Sequence, residues 1–170
     1  MNKEFAPLLG PTFAAFLEGG MSINVAARGA GNLPSIARAL GCRFSGDRRR
    51  LTVFLSRSQS AAVLADVQEH GAIAVVFAQP STNQSWQFKG RDARVEPLGR
   101  GDGGRIRAYV ESFVEGVARL GYPPDRIRLL FASPREAPAP EDWAAVTFTP
   151  TDVFTQTPGQ SAGQPLRDPL

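Results

Sequence analysis

Apolar and polar positions alternate over short stretches of this chain, and helical spacing interrupts them at three or four places. Residues 7–20 put Phe13, Phe16 and Leu17 at helical spacing and stop at Gly19-Gly20, which predicts a short amphipathic helix. Residues 21–28 (MSINVAAR) alternate as a strand does, and GAGNLP follows as a turn. Residues 35–44 (SIARALGCRF) then read as the returning strand of a hairpin, although their alanines and leucine also suit a helix. After a turn at Ser45-Gly46-Asp47, residues 49–56 (RRLTVFLS) form the clearest strand, rich in β-branched and aromatic side chains. Residues 60–70 repeat apolar side chains at Ala61, Val63, Leu64 and Val67, a helical spacing that Gly71 ends. Residues 72–78 (AIAVVFA) are almost wholly apolar and short, which predicts a strand buried on both faces. Residues 85–96 (SWQFKGRDARVE) alternate as one long strand, with Gly90 marking a bulge or a close backbone approach.

Past the midpoint, GRGDGG at 99–104 reads as a flexible link, and without a following Gly-Lys-Ser it is no phosphate loop. Residues 105–120 form the best helix, with Ile106, Tyr109, Val110, Phe113, Val114 and Val117 on one face. A second short helix is predicted over 123–131, opened by its prolines, and a proline-rich surface loop over 133–141. Residues 144–154 are the last strand region, broken by Pro150. From Thr155 onward the chain is rich in Gly, Pro and Gln, an extended arm or a disordered tail. The organisation is therefore one domain over 1–154 and an arm over 155–170. Strands joined by short turns favour an antiparallel sheet, and so many half-buried strands favour a barrel that removes its own edges.

Composition narrows the function. The chain has 170 residues, 42% of them hydrophobic and 21% charged, as an ordinary globular domain does. A net charge of +3 is too small and too scattered to mark a nucleic-acid partner. One cysteine, Cys42, and one histidine, His70, build neither a disulfide framework nor a zinc site nor a Ser-His-Asp triad. Cys42 reads as a small buried hydrophobe. No signal segment and no apolar run of membrane-spanning length is seen, so the expectation is a cytoplasmic protein without a membrane partner.

The chemistry concentrates between the clearest strand and the helix after it. Ser56, Arg57, Ser58, Gln59 and Ser60 crowd where a strand meets a helix N-terminus. Hydroxyls, a guanidinium and backbone N–H groups there converge on a volume suited to an anion. Ser58 or Ser60 also suits a helix N-cap, and Arg57 and Arg38 also suit surface arginines whose stems cover apolar neighbours.

In its order of elements the chain resembles the pyridoxamine 5′-phosphate oxidase-like family, the FMN-binding split barrels. The resemblance spans about residues 5–154 and is carried by SINVAARGAGNLPSIARAL, LTVFLSRSQSAAVLADVQEHGAIAVVF and WQFKGRDARVE. It implies a mainly β fold with flanking helices, an antiparallel six-stranded split β-barrel of Greek-key type. It also implies a homodimer with two FMN sites at the subunit interface and a small-molecule substrate. By that likeness Arg38 is the strand arginine that reaches the cofactor, Ser56, Arg57, Ser58 and Ser60 form the phosphate turn, and Gln87 contacts the flavin ring. The implied function is an FMN-dependent oxidoreductase. Pyridoxamine phosphate is not the expected substrate, because FTQTPGQSAGQPL lacks the family's C-terminal Trp-and-Arg segment. Ala62 and Val63 stand where a lysine usually follows the turn's serine, and Trp86 stands where an arginine usually lies beside the family's Gln. This keeps a second reading open, a non-enzymatic split-barrel binding or stress protein that takes haem, a deazaflavin or no cofactor.

Overall fold

The structure is a computed structural model that describes residues 10–131 and 140–166. Most of the proline-rich loop expected at 133–141 lies outside the described residues, as do the first nine residues and the last four of the arm. Helix α1 (Pro11–Glu18) starts on its proline, whose fixed φ suits a first helical turn, and buries Ala14 and Leu17. Strand β1 (Ser22–Arg28) pairs antiparallel with β2 (Pro34–Arg38) on one side and with β5 (Ile73–Ala78) on the other. Next to β5 lies β6 (Ser85–Gly90), then β9 (Asp152–Thr155), so the first sheet has the order β2-β1-β5-β6-β9. The second sheet, in the order β3-β4-β8-β7, contains β3 (Cys42–Phe44), β4 (Leu51–Ser56), β8 (Trp143–Phe148) and β7 (Arg94–Glu96). All its pairings are also antiparallel.

The nine segments are the six expected strands, three of them bent. Residues 35–44 and 85–96 were each expected as one run, and 144–154 as a strand region broken at Pro150. The chain instead leaves the first sheet after β2, enters the second at β3, and repeats this between β6 and β7 and, in reverse, between β8 and β9. The two sheets therefore share chain but no strand pairing, and the barrel is split. Backbone chemistry explains the corners. Gly41 adopts φ +122° beside the Tyr109 side chain, a conformation that an L side chain rarely takes. At Gly90 a Cβ atom would collide with the Phe148 ring and the Thr149 carbonyl oxygen, the close approach foreseen there.

Between the sheets lie the fully buried Phe77, Phe88, Phe148, Leu51 and Ile23, with Phe77 and Phe88 edge to face at 5.4 Å between centroids. The strand buried on both faces is not β5. Its Ile73, Val75 and Phe77 are buried while Ala74, Val76 and Ala78 are half-exposed. Every residue of β4 and β8 is buried instead. The start of α3 (Asp102–Ala118) covers part of their second face. Arg43, beside Thr52 in the sheet register, donates from Nε to Asp102 Oδ1 at 2.9 Å. Gly103 lies against the Trp143 ring. The glycine-rich link foreseen at 99–104 is thus no free hinge. Asp102 is 1% exposed and also accepts the Gly99 N–H at 2.8 Å, so a buried charge paired on two sides anchors the helix start. Helix α2 (Ala61–His70) touches β1, β2 and β7 and so bridges the two sheets. A short α4 (Pro124–Arg128) packs on α3.

From residue 156 the arm folds back. The Thr155 N–H donates to Gln164 O at 3.0 Å, the Leu166 N–H donates to Val153 O at 2.8 Å, and Phe154 bridges to Pro165. The outer edge of β9 is thereby covered by the chain's own C-terminal residues.

Gly90→Ala is expected to lower stability by about 1–3 kcal/mol through overpacking. Gly104→Ala, on α3 with open space where the methyl goes, is expected to raise it by up to about 1 kcal/mol. Urea unfolding midpoints at unchanged m-value check both.

Candidate functional site

The polar turn after β4 is an anion site, and the chain fills it itself. Asp142, the last residue of a 3₁₀ turn at Pro140–Asp142, aims its carboxylate into it. Ser56 Oγ donates to Asp142 Oδ2 at 2.5 Å and Ser58 Oγ to the same oxygen at 2.9 Å. The Ser58 backbone N–H donates to Oδ1 at 2.8 Å, and the Arg57 N–H to the Asp142 carbonyl at 2.6 Å. The Arg57 guanidinium donates from Nε to Trp143 O at 3.2 Å, and the Gln59 N–H donates to Ser56 Oγ at 3.3 Å. The hydroxyls and N–H groups expected to be free for a ligand are therefore held by a carboxylate eighty-odd residues away. Burial works against the charge on Asp142. The donors Ser56 and Ser58, with the Arg57 guanidinium nearby, outweigh it and hold the carboxyl below the usual carboxylate range. Ser60 stands at the N-cap of α2 without closing a cap bond, and its buried Oγ has no partner among the described residues.

Arg38 and Gln87 lie elsewhere, and the sheet register brings them to one face. Arg38 on β2 sits opposite Asn24 on β1, Asn24 opposite Val76 on β5, Val76 opposite Gln87 on β6, and Gln87 opposite Phe154 on β9. Residues directly opposite in an antiparallel sheet share a face. Because Ile23, Val25, Val75, Phe77 and Phe88 point into the core, this row points away from it. Three strand spacings separate Arg38 from Gln87, about 14 Å. All five side chains of the row are half-buried. Arg38 Nη1 donates to Ser22 Oγ at 3.2 Å, and its guanidinium lies 5.8 Å from the Phe113 ring centroid. Gln87 Oε1 accepts from Gln156 Nε2 of the folded-back arm at 3.3 Å.

The neighbouring row on the same face reads Ile36, Ala26, Ala74, Lys89, Asp152. Above it and the strand ends beyond opens a cleft of about 320 Å³, lined among others by Arg28, Lys89, Arg91 and Asp152 over Ala26 and Ala74. None of these residues was singled out from the sequence. Lys89 and Arg91 flank Gly90 in the quoted WQFKGR run, a local sign that was there to read. The involvement of Asp142 had no local sign.

Cys42 is buried, and burial, seconded by Glu18, pushes its thiol well above the usual range, so it stays a protonated packing residue. Among the described residues no group of three or more His, Cys, Asp and Glu side chains is placed to hold a metal ion. No helix among them is long and apolar enough to cross a membrane.

No protein-family model matches the sequence, and no curated protein matches it. Solved structures do. HupZ of Group A Streptococcus is 16% identical with a TM-score of 0.52, over 91% of this chain and 100% of that one. An F420 reductase is 13% identical with a TM-score of 0.51, over 82% of this chain and 93% of that one. At these identities the likeness is one of fold. The mainly β, two-sheet architecture with flanking helices is the split-barrel fold expected from the sequence.

Asp142→Asn is expected to destabilise the protein at pH 7 by about 1–2 kcal/mol, as charge-assisted hydrogen bonds are lost. The folded-state carboxyl titrates below the unfolded one, so this stabilisation is complete above the unfolded value of about 4 and fades as pH falls through the folded one. The difference between the denaturation curves of the two proteins should shrink as pH falls from 7 towards 3.

Proposed function

We propose that the protein is a flavin-type oxidoreductase acting on a small molecule other than pyridoxamine phosphate. FMN is its cofactor on this reading, held on the outer face of the five-stranded sheet and covered by a second copy of the chain. The observation that carries the reading is the row from Arg38 to Gln87. It offers a flat floor of small and half-buried side chains, Asn24 and Val76 with Ala26 and Ala74 beside them, closed at one end by a cation and at the other by an amide. Such a strip fits a planar, largely apolar ring system with polar edges. Arg38 would supply positive charge to the ring or its substituent, Gln87 an amide hydrogen bond to the ring edge, and Phe154 an apolar wall. Bound flavin would supply the hydride and single-electron chemistry. The chain's own part is to orient the ring, exclude water from it and leave one ring face open to the substrate. The fold shared with an F420 reductase supports this class of chemistry.

A second copy suits the same surface. Leu33 and Ile36, 71% and 73% exposed, lie at the free β2 edge, and Ile36 belongs to the outward face. Covering them together with the half-buried alanines would remove a contiguous apolar surface from water. One observation favours the second reading, a non-enzymatic binding protein. The turn whose hydroxyls would meet a flavin phosphate already holds Asp142.

Titration of the purified protein with FMN, followed by flavin fluorescence and by melting temperature, tests the proposal. Saturable binding is expected, with Arg38→Ala and Gln87→Ala each weakening it about tenfold, the equivalent of ~1.4 kcal/mol. A protein that shows neither fluorescence change nor melting shift with FMN or with F420 sinks it.

A further inference from the structure

We infer that Arg28, Lys89 and Arg91 form an anion-binding cleft that takes the phosphate tail of the ligand whose ring lies between Arg38 and Gln87. The inference rests on the proposed use of that face for a cofactor. It assigns the charged end of the ligand to a site that neither the sequence nor the likeness to other proteins indicates.

Three observations carry it. The cleft, about 320 Å³, joins an apolar floor at Ala26 and Ala74 to three cationic side chains. None of the three makes an ion pair with a described residue. Arg28 donates to the Asn32 amide oxygen at 3.0 Å, and Lys89 Nζ stands 4.7 Å from the Phe154 ring centroid. The single carboxylate lining the cleft, Asp152, accepts from its neighbour Thr151 Oγ1 at 2.8 Å. Three like charges around one concavity repel one another, and a polyanion offsets that repulsion.

The second observation is position. Lys89 follows Gln87 by two residues on β6 and points to the same side, so the cleft begins about 7 Å from the amide assigned to the ring. A ring on the first row and a phosphate in the cleft are thus within the reach of one mononucleotide. The third is competition. The Ser56–Ser58 turn, the other place rich in donors, spends them on Asp142, and a dianion entering there would face that carboxylate at hydrogen-bond distance.

FMN and riboflavin, which differ by the phosphate alone, separate the possibilities. Wild type should bind FMN at least about tenfold tighter than riboflavin, as charge-assisted contacts to phosphate require. In the Lys89→Gln, Arg91→Gln double variant that preference should vanish while riboflavin affinity is kept. Both side chains are exposed, so the fold should survive, and an unchanged melting temperature verifies it. In Ser58→Ala the preference should persist. Loss of the preference in Ser58→Ala but not in the double variant, or no preference in wild type, overturns the inference and leaves the flavin proposal standing. If wild type binds neither flavin, the flavin proposal fails and inorganic pyrophosphate decides for the cleft. A melting shift in wild type that the double variant lacks upholds it as an anion site. No shift, or equal shifts, overturns it.

Discussion

At Gly90 the backbone of β6 runs so close to the Phe148 ring and the Thr149 carbonyl that no side chain fits between them, and two of the three sheet-to-sheet corners lock together there. The Thr149 N–H donates to Asp92 Oδ1 at 2.8 Å, and the Thr151 N–H to Lys89 O at 2.8 Å, so each corner satisfies backbone groups that the other leaves exposed. The lock sets where β7 and β8 meet in one sheet and where β6 and β9 meet in the other. It also sets the stage for chemistry, since Lys89, Arg91, Thr151 and Asp152 all leave the same crossing and line one cleft. A close-packed joint between the two sheets thereby positions exposed charges around one cleft.

Much of this architecture was legible in the residues, and the exceptions share a cause. Alternation located the strands at 21–28 and 85–96, because period-two burial survives wherever one face is covered, and apolar or β-branched content located those at 72–78 and 49–56. It could not show that residues 35–44, 85–96 and 144–154 change sheet midway, because side chains go on alternating through a bend. Gly41, Gly90 and Pro150 mark the three corners, and neither a glycine nor a proline alone tells a bulge or a break from a change of sheet. The apolar run of β5 suggested double burial. What covers the outer face decides that question: β4 and β8 are buried throughout, with the start of α3 against Trp143, while one face of β5 stays half-exposed.

The candidate site divides in the same way. Ser56, Arg57 and Ser58 were recognisable as anion donors from their crowding, which is local. That Asp142 supplies the anion is a contact across 86 residues from Ser56, beyond any local pattern. Arg38 and Gln87 were named by likeness to other proteins. Their relation to each other, one row across four strands, is a fact of register, and a slip of a single residue would have sent one of them to the opposite face. The carboxylate in the turn and the cations in the cleft are complementary. The chain satisfies one set of donors internally and leaves the other to solvent or to a ligand.

The folded-back arm gives the five-stranded sheet two unlike borders. Along β9 the arm takes up hydrogen-bonding groups of the border through Thr155, Val153 and the bridge to Pro165, whereas no strand among the described residues pairs with the outer side of β2. A sheet with one open border can zip onto one like sheet and then has nothing further to offer, so edge pairing of such sheets, where it occurs, ends at two and does not propagate into a filament. The Gly/Pro/Gln-rich composition that reads as an extended arm or a disordered tail is compatible with this role, which needs backbone groups and almost no side chains. Trimming the arm would therefore do more than shorten the molecule, because it would turn a self-limiting border into a polymerisable one.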